Sequence, residues 1–379
     1  MLKLHIENLL LKHHKKEQIL ILRDKEMKVQ LGDVCERYSS NVAQKDITEV
    51  KNGYPIYGAT GIVGNIGKFQ QDSKYVAVVK DGAGIGRAML LPAKSSIIGT
   101  LQGLIPNNKI LPEYLFFAVQ HMALKKYYSG STIPHIYFRN YKNEILNLPN
   151  MIEQEKVINS LQIVEKFIKN RENVINELTS LEQARFVEMF GSYPINPKVW
   201  DIVRIRDVVK EVKYGTSRPA TQAGKYPYLR MNNITYNGEL ELSDIKYIDV
   251  PKTELSNCTV QYGDVLFNRT NSKELVGKTC VYNQNNMMVL AGFIIRIRVN
   301  ERVLPQFLST YLNTDFSKKM LAAMCKTAIG QANINAQELQ NICIYVPPIK
   351  LQEEFVKFKK QIDKSKLREE KRQNILLGK

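Results

Sequence analysis

The residues most suggestive of chemistry lie in a glycine-rich loop. Residues Tyr75–Gly86 read YVAVVKDGAGIG, a strand-like run entering a loop of the kind that holds a nucleotide or S-adenosylmethionine. A loop with that role opens a helix, whose N-terminus meets the phosphate or carboxylate of the cofactor. Here the next residues, Arg87–Pro92 (RAMLLP), read as a second strand that ends in proline. The pattern therefore favours a β-hairpin over a cofactor site.

Other catalytic motifs are incomplete. An amino-methyltransferase needs an Asn/Asp-Pro-Pro-aromatic motif to hold a flipped base, and Asn147–Asn150 and Tyr345–Pro348 match it only in part. Both segments lack the aromatic residue that should follow the prolines, and both stand before a helical pattern, so they read as helix-start signals. No phosphate-binding loop, paired-carboxylate nuclease core or metal-ligand spacing is visible. We therefore expect no catalytic residue, no cofactor and no metal site in this chain.

Polar side chains that could read DNA bases form the second group of candidates. Arg makes paired hydrogen bonds to guanine and Asn or Gln to adenine, while other Lys and Arg residues hold phosphates. The candidates in the first half of the chain are Tyr54, Tyr57, Lys80, Arg87, Ser131, Thr132 and His135. Those in the second half are Arg218, Arg230, Asn232, Asn233, Asn268, Arg269, Thr270, Asn271, Lys278, Gln331 and Asn333. Because any one Asn or Tyr also suits a turn or a core edge, the loops as a set carry the prediction, with Arg269 and Arg230 placed first.

The charge balance supports a nucleic-acid partner. The chain has 54 Lys plus Arg against 37 Asp plus Glu, a net charge of +17. Such an excess indicates a polyanionic partner, nucleic acid before an anionic membrane surface, with a generally basic proteome as the alternative. The sequence shows no membrane-spanning run and a charged N-terminus unlike a secretory signal, and its five cysteines are widely spaced. We expect a cytoplasmic protein.

A long helix must position these loops. Residues 151–189 contain no Gly or Pro, and their apolar residues recur in alternating steps of four and three, as in a coiled-coil seam. A helix of roughly 38 residues would extend on the order of 55 Å. A buried helix of an ordinary α/β domain is the alternative interpretation. Residues 1–27 read as a helical arm, whose histidines we interpret as solvated surface.

The two halves of the chain repeat each other. Asp33-Val34 answers to Asp207-Val208, and Tyr54-Pro55 to Tyr226-Pro227. Later matches are Leu111-Pro112 with Leu304-Pro305, and Gln154-Glu155 with Gln352-Glu353. The offset grows from 174 and 172 to 193 and 198 residues along the chain, as loop insertions in the second copy would produce. A second helix with an apolar seam follows Pro348, so we expect the two helices to pair in antiparallel fashion and to hold the two domains at opposite ends.

These features resemble the specificity subunits of type I restriction-modification enzymes. The resemblance rests on the repeated opening, Val29–Val34 (VQLGDV) and Val203–Val208 (VRIRDV), and on the Gln-Glu pair that begins each long helix. The helix exit Leu181–Gly191 is also similar to the central region of that family. The resemblance covers nearly all of residues 28–379, whereas the N-terminal arm departs from the family's usual short leader.

The resemblance implies a mixed α/β (α+β) fold, with two similar target-recognition domains separated by two long antiparallel helices in a coiled coil. The predicted parts are an arm (1–27), domain 1 (28–150), a central spacer helix (151–192), domain 2 (193–348) and a C-terminal helix (349–379).

It also implies a function without catalysis. Each domain would read half of a bipartite, asymmetric site in double-stranded DNA, with the helices as a ruler for the gap. The helices would dock two modification (methyltransferase) subunits, and restriction (translocase-nuclease) subunits would join that complex. Two alternatives stay open: a stand-alone S-adenosylmethionine-dependent DNA adenine methyltransferase, and a structural coiled-coil adaptor.

Overall fold

A computed structural model describes residues 27–82, 84–130, 134–192, 194–328 and 331–377 of the chain. The predicted N-terminal arm lies outside these residues except for Met27. The chain divides into two compact units, which we call unit 1 (Met1–Asn170 with Arg372–Lys379) and unit 2 (Arg171–Lys371). The predicted domain boundaries stay a prediction.

Unit 1 is built on three small sheets. A four-stranded antiparallel sheet has the order β2-β8-β5-β6, a second sheet has the order β4-β3-β7 with β3 parallel to β7, and β1 pairs with β9. The strands are β1 (Met27–Gln30), β2 (Cys35–Ser39), β3 (Tyr54–Gly58), β4 (Gly61–Ile66), β5 (Tyr75–Val79), β6 (Ala88–Leu91), β7 (Ser96–Ile97), β8 (Leu101–Pro106) and β9 (Ile145–Leu148). The helices between β8 and β9 are α1 (Pro112–His121) and α2 (Phe138–Tyr141).

Two details of unit 1 differ from its sequence pattern, in which Ile97–Leu101 is a strand-like run and Pro112–Lys126 has a helical period. The run Ile97–Leu101, expected to be one strand, ends β7 and begins β8, because the amide of Leu101 donates to Ile98 O (3.0 Å) and closes a turn. The helix expected over 112–126 stops at His121, because Ala123 takes the left-handed conformation with φ of 49° and a 3-10 turn follows.

Unit 2 repeats this plan with additions. Its four-stranded sheet has the order β11-β19-β15-β17, its second sheet the order β13-β12-β18-β14 with β12 parallel to β18, and β10 pairs with β22. A further sheet has the order β16-β21-β20. The strands are β10 (Asp201–Arg204), β11 (Val209–Tyr214), β12 (Tyr226–Leu229), β13 (Lys246–Ile248), β14 (Thr259–Val260), β15 (Val265–Asn268), β16 (Thr270–Asn271), β17 (Thr279–Val281), β18 (Met288–Leu290), β19 (Ile294–Val299), β20 (Lys326–Ala328), β21 (Gln331–Asn333) and β22 (Cys343–Val346). The long helix α3 (Met151–Phe190) comes before this unit's sheets in the chain, and the short helices that follow are α4 (Lys252–Cys258), α5 (Pro305–Asn313), α6 (Asp315–Met324) and α7 (Ala336–Gln340).

Matching hydrogen bonds confirm the predicted repeat. The amide of Leu111 donates to Gln154 Oε1 at 2.8 Å, and the amide of Leu304 donates to Gln352 Oε1 at the same distance. Both glutamines are fully buried and also donate to the carbonyl that precedes their helix. Each therefore fastens the start of a long helix to the end of its own sheet, which explains why the sequence repeats Gln at this position.

The two long helices are α3 (Met151–Phe190) and α8 (Ile349–Leu377). Helix α3 ends where Gly191 adopts a φ of 85°, a conformation that favours glycine. Within unit 2 the rings of Phe186 and Phe355 lie 5.1 Å apart, and Glu182 binds Lys366 at 3.2 Å. Farther back along α3, Arg171 pairs with Glu369 near the end of α8. Because early residues of α3 meet late residues of α8, the predicted antiparallel pairing is confirmed within this unit.

Candidate nucleic-acid interface

The glycine loop is a hairpin turn, as predicted. Strands β5 and β6 pair in antiparallel fashion, and the amide of Gly86 donates to Val79 O at 2.8 Å. Gly86 has a φ of 80°, and a Cβ there would lie 2.6 Å from the backbone nitrogen of Lys125. Unit 2 builds the same turn without the glycine run, since the amide of Gly277 donates to Asn268 O, also at 2.8 Å. Turn geometry and close packing explain the retained glycine.

The turn places Lys80 and Arg269 at equivalent points. Each follows the last residue of a central strand, and its carbonyl accepts one hydrogen bond of 2.9 Å, from Ile136 in unit 1 and from Ile334 in unit 2. Both units thus carry a basic residue directly after this central strand. Two copies of one backbone arrangement therefore present different side chains from the same place.

In unit 2 this place holds a guanidinium on an aromatic ring. The Arg269 guanidinium lies 4.9 Å from the centroid of the Tyr214 ring, and its Nη2 donates to Asn333 Oδ1 at 3.1 Å. Nη1 donates more weakly to Gly292 O at 3.4 Å. Nε of Arg269 and Oγ1 of Thr270 are buried without a partner among the described residues. Arg269 is thus held flat with donor capacity remaining, the arrangement suited to paired recognition of guanine.

In unit 1 a histidine and an aspartate occupy the corresponding place. Asp81 faces His135 across the strands as Thr270 faces Asn333 in unit 2. His135 Nδ1 lies 2.6 Å from Asp81 Oδ1. The imidazole stacks on Tyr137 with 6.4 Å between ring centroids, and the Arg139 guanidinium lies 4.7 Å from the Tyr137 centroid.

His135 is among the residues predicted from the sequence to contact DNA, whereas Asp81, Tyr137 and Arg139 are not. The polar and aromatic side chains of His135, Tyr137 and Arg139 lie within five residues of one another in the sequence, and this density could have indicated a common surface. Asp81 lies 54 residues from His135, and Tyr214 precedes Arg269 by 55 positions. No local pattern connects such pairs.

Two predicted arginines of unit 2 are paired with carboxylates. Arg230 Nη2 donates to Asp244 Oδ2 at 2.8 Å, and this bond holds the pKa of Asp244 below its ordinary value. Arg218 binds Glu254 through two bonds, of 2.6 and 3.1 Å, and similarly lowers the pKa of that carboxyl group. Both pairs reach the surface, where an ion pair is weak and can exchange for another anion such as a phosphate.

Four other candidates are buried: Asn233, Asn268, Thr270 and Lys278. Asn233 Nδ2 donates to Glu241 O at 2.8 Å. Lys278 Nζ donates to the carbonyls of Met231 and Ile234 at 3.0 and 2.5 Å, and burial lowers its pKa. A contact with DNA would require breaking these bonds, so the geometry favours a supporting role for the loop that begins at Arg230.

The remaining candidates lie on or near the surface. Tyr54, Arg87 and Asn232 are exposed, whereas Tyr57, Lys80, Asn271 and Asn333 are half-buried. The Arg87 guanidinium donates to Ala59 O, and Asn271 Oδ1 accepts from the Ser272 amide at 2.9 Å. Ser131 and Thr132 lie outside the described residues, as does the side chain of Gln331 in β21. DNA contact stays a prediction for all of these residues.

The described residues offer little for other chemistry. None of their His, Cys, Asp and Glu side chains cluster in threes in a way that could hold a metal ion. None of the helices traced in the structure has both the length and the apolar character needed to cross a bilayer. Burial raises the pKa of the Cys35 thiol to about 12, which removes it as a nucleophile at neutral pH.

A family model settles the class of protein. The model of the type I restriction modification DNA specificity domain matches residues 23–180 and again residues 197–377. The chain belongs to this family. The two matches coincide with the two copies of the repeat, which explains why each unit carries its own sheets and its own helix start.

Individual relatives of the specificity-domain family are distant. The chain is 24% identical over 171 residues to the putative MjaX specificity subunit of Methanocaldococcus jannaschii, covering 44% of this chain and 40% of that protein. It is 23% identical over 277 residues to the EcoKI specificity subunit of Escherichia coli K12, covering 66% of this chain and 60% of that protein. The chain thus spans less than two thirds of either relative.

Among solved structures, the S subunit of a type I restriction-modification system from M. genitalium is similar over 93% of both chains. The TM-score is 0.55 and the sequence identity 14%. At that identity the likeness is one of fold.

Proposed function

We propose that this chain is the specificity subunit of a type I restriction-modification complex, acting in the cytoplasm without a catalytic site of its own. It reads a bipartite, asymmetric site in double-stranded DNA, one half through each unit. The observation that carries the proposal is the pair of equivalent strand ends with different side chains, Lys80 beside Asp81 and His135 in unit 1, and Arg269 beside Thr270 and Asn333 in unit 2.

To read two different half-sites, the two units need the same backbone arrangement with different side chains on it. A common backbone places each set of side chains at the same point of its unit, and the difference in side chains supplies a difference in base preference. The net charge of +17 supplies the attraction to the phosphate backbone that both halves need. Family membership in the DNA specificity domain supports the same reading.

The helix pair is the proposed docking surface for two modification subunits, which bring the methyltransferase activity and are joined by restriction subunits. Within unit 2, Val174 and Leu181 lie seven residues apart on α3 and remain exposed, as does Leu367 on α8. Seven-residue spacing of exposed apolar side chains is typical of a helix face that packs on a partner. This supports docking by a helical or apolar surface of another subunit.

The first experiment separates base reading from phosphate binding. After the site is defined by sequencing the methylated bases of the host, gel shifts of the full chain compare cognate with scrambled DNA over a salt series. Arg269→Ala should cost about 1 to 3 kcal/mol on cognate DNA and relax the preference at one position, because its paired donors are lost. Lys80→Ala should weaken all sequences alike and reduce the salt slope by about 1.

Equal losses on cognate and scrambled DNA for Arg269→Ala would refute its role as a base reader. Absence of any sequence preference in the wild-type chain would refute the proposed function itself. Titration calorimetry of the isolated chain with S-adenosylmethionine checks the non-catalytic assignment, and we expect no heat of binding.

The length of α3 should set the gap between the half-sites. Deleting one heptad, Glu165–Arg171, removes about 10 Å of helix, or roughly three base pairs at 3.4 Å each. The preferred gap should shrink by that amount, which sequencing of methylated sites in cells carrying the deletion would measure. An unchanged gap would refute the role of α3 as a spacer.

A further inference from the structure

We propose that unit 1 recognises the exocyclic amino group of a cytosine or an adenine through Nε2 of His135, with Asp81 as the residue that positions and orients the imidazole. This inference rests on the proposed function, since it specifies what one of the two reading surfaces recognises. It assigns the opposite hydrogen-bonding character to the two units: an acceptor in unit 1 and donors in unit 2.

The Asp81–His135 contact defines which ring nitrogen carries the proton. Nδ1 lies 2.6 Å from Asp81 Oδ1, and a carboxylate only accepts hydrogen bonds, so the proton of the neutral ring resides on Nδ1. Nε2 is then a bare acceptor. An isolated antiparallel β-bridge between Asp81 and His135 also places the two side chains on neighbouring backbone segments, which supports this orientation of the ring.

Nε2 is free to meet a base. The His135 side chain is 37% exposed, and within the described parts of the chain Nε2 makes no hydrogen bond to another residue. Tyr137 covers one face of the imidazole with an angle of 19° between the two ring planes. A carboxylate at the Nδ1 edge and an aromatic ring beside one face therefore hold the imidazole, while more than a third of the side chain stays exposed.

A phosphate anchor lies near the imidazole. Arg139 is exposed, and its guanidinium packs over Tyr137 at 4.7 Å from the ring centroid. The backbone of Lys80 binds that of Ile136, next to His135. The guanidinium of Arg139 thus lies one aromatic ring away from the imidazole, as expected where phosphate contacts fix the register of a base-reading group.

In the major groove, a hydrogen-bond acceptor such as Nε2 can distinguish one type of base from another. Cytosine N4 and adenine N6 present donors there, whereas guanine O6 and N7 and thymine O4 present acceptors. A bare Nε2 pairs with the amino bases and repels the keto bases. Arg269 has only donors and has the reverse preference.

A selection of bound DNA from a randomised pool, made with the full chain, tests this inference. The wild type should prefer adenine or cytosine at one position of one half-site. His135→Ala should reduce that preference roughly fivefold to tenfold, the low end for a base contact because one hydrogen bond is made instead of two. His135→Lys, which offers only donors, should shift the preference toward guanine or thymine. Asp81→Ala should weaken the amino-base preference at the same position, and the half-site that responds to Arg269→Ala should stay unchanged.

Base analogues then identify the group that is read. Purine in place of adenine, or 2-pyrimidinone in place of cytosine, lacks the amino group and should weaken wild-type binding by the same factor, without affecting His135→Ala. His121→Ala changes an exposed histidine at the end of α1 and serves as the matched control, with no expected effect on preference.

Three results would overturn the inference. They are a uniform loss of affinity on all sequences for His135→Ala, a wild-type preference for a keto base at the coupled position, and an analogue effect that persists in His135→Ala. Each leaves the proposed function standing, because the preferences of both half-sites would remain. A wild-type chain with no preference in either half-site would overturn both.

Discussion

Beyond a β-bulge between Val209 and Glu211 in unit 2, the central sheets of the two units have the same strand register but carry different side chains on it. In unit 1 Tyr38 of β2 faces Gly103 of β8, and in unit 2 Lys213 of β11 faces Arg296 of β19. The next strand continues the ladder with Ala77 in unit 1 and Leu266 in unit 2. One set of backbone pairings thus accommodates an aromatic ring over a glycine in one unit and an arginine in the other.

In unit 1 the filling is apolar. A Cβ on Gly103 would lie 2.7 Å from Cδ1 of Tyr38, so the ring occupies the space that a side chain would need. Tyr75, at the start of β5, is fully buried beside this position, with its hydroxyl 3.3 Å from Ser95 Oγ. None of the residues at this position, Tyr38, Gly103, Ala77 and Tyr75, is charged. We call them the apolar row, and the corresponding residues of unit 2 the ionic row.

In unit 2 the filling is ionic. Arg296 is 1% exposed, and its Nη2 lies 2.7 Å from Glu211 Oε2. Arg298 binds the same carboxylate at 2.9 Å and Asp264 at 2.8 Å, and Asp264 precedes β15 where Tyr75 begins β5. In both units side chains fill the space at this position of the central sheet. The fold accepts either apolar or charged side chains there, provided that every buried charge has a partner.

The largest effect should come from removing one member of the ionic row. Asp264→Ala leaves Arg296 buried with only one carboxylate and should destabilise unit 2 by about 3 kcal/mol, the size of a broken buried ion pair. Hydrogen exchange followed by mass spectrometry reads β15 and β19 separately from the strands of unit 1. Tyr75→Phe, which changes the equivalent place in unit 1 by one hydroxyl group, is the control and should cost about 1 kcal/mol or less. Similar losses for both variants would contradict the distinction between the fillings.

A smaller effect should come from crowding the apolar row. Gly103→Ala places a methyl group against the Tyr38 ring and should destabilise unit 1 by about 1 to 2 kcal/mol. In a Tyr38→Ala background the ring is absent, and the same change should cost nothing further. A cost that persists in that background would locate the strain elsewhere, and urea denaturation of the four chains measures it.

Much of this fold follows from the sequence. The repeat can be seen in the sequence because positions with the same local structural role carry the same residue type in both units. Gln154 and Gln352 each hold the start of a long helix, and Gly86 and Gly277 each close a turn. The long helix was predicted to within one residue, since 151–190 contains no glycine or proline. Where local chemistry decides the structure, the residue type reveals it.

The pairings that distinguish the units were not visible. Glu211 and Arg296 lie 85 residues apart, and the register of the sheet alone brings them together. Likewise, Ala123 ends α1 in a left-handed conformation that alanine rarely adopts, so nothing in its identity marks the end of the helix. The predicted reading residues were found as sets of loops, but which of them are buried, as Lys278 is, depends on the tertiary fold.

The smallest effect should appear in acid. The hydrogen bond from Lys213, joined by the charges of Arg296 and Arg298, holds the pKa of Glu211 below its ordinary value of 4.5. A carboxyl group whose folded pKa is depressed adds stability above its unfolded pKa and loses that stability as the pH falls through the folded value. Amide protection of β11 and β19 should therefore decline below about pH 4.5, once corrected for intrinsic exchange.

Unit 1 supplies the matched comparison for this acid effect. Glu36 stands at the position of Glu211, but it is exposed and faces Ile105 where Glu211 faces Arg298. Glu211→Gln should remove the acid-dependent part of the protection in β11 and β19, whereas Glu36→Gln should leave β2 and β8 as they are. Acid-dependent protection of β11 and β19 that persists unchanged in Glu211→Gln would mean that the ionic row is held by its geometry and not by the charge of this carboxylate.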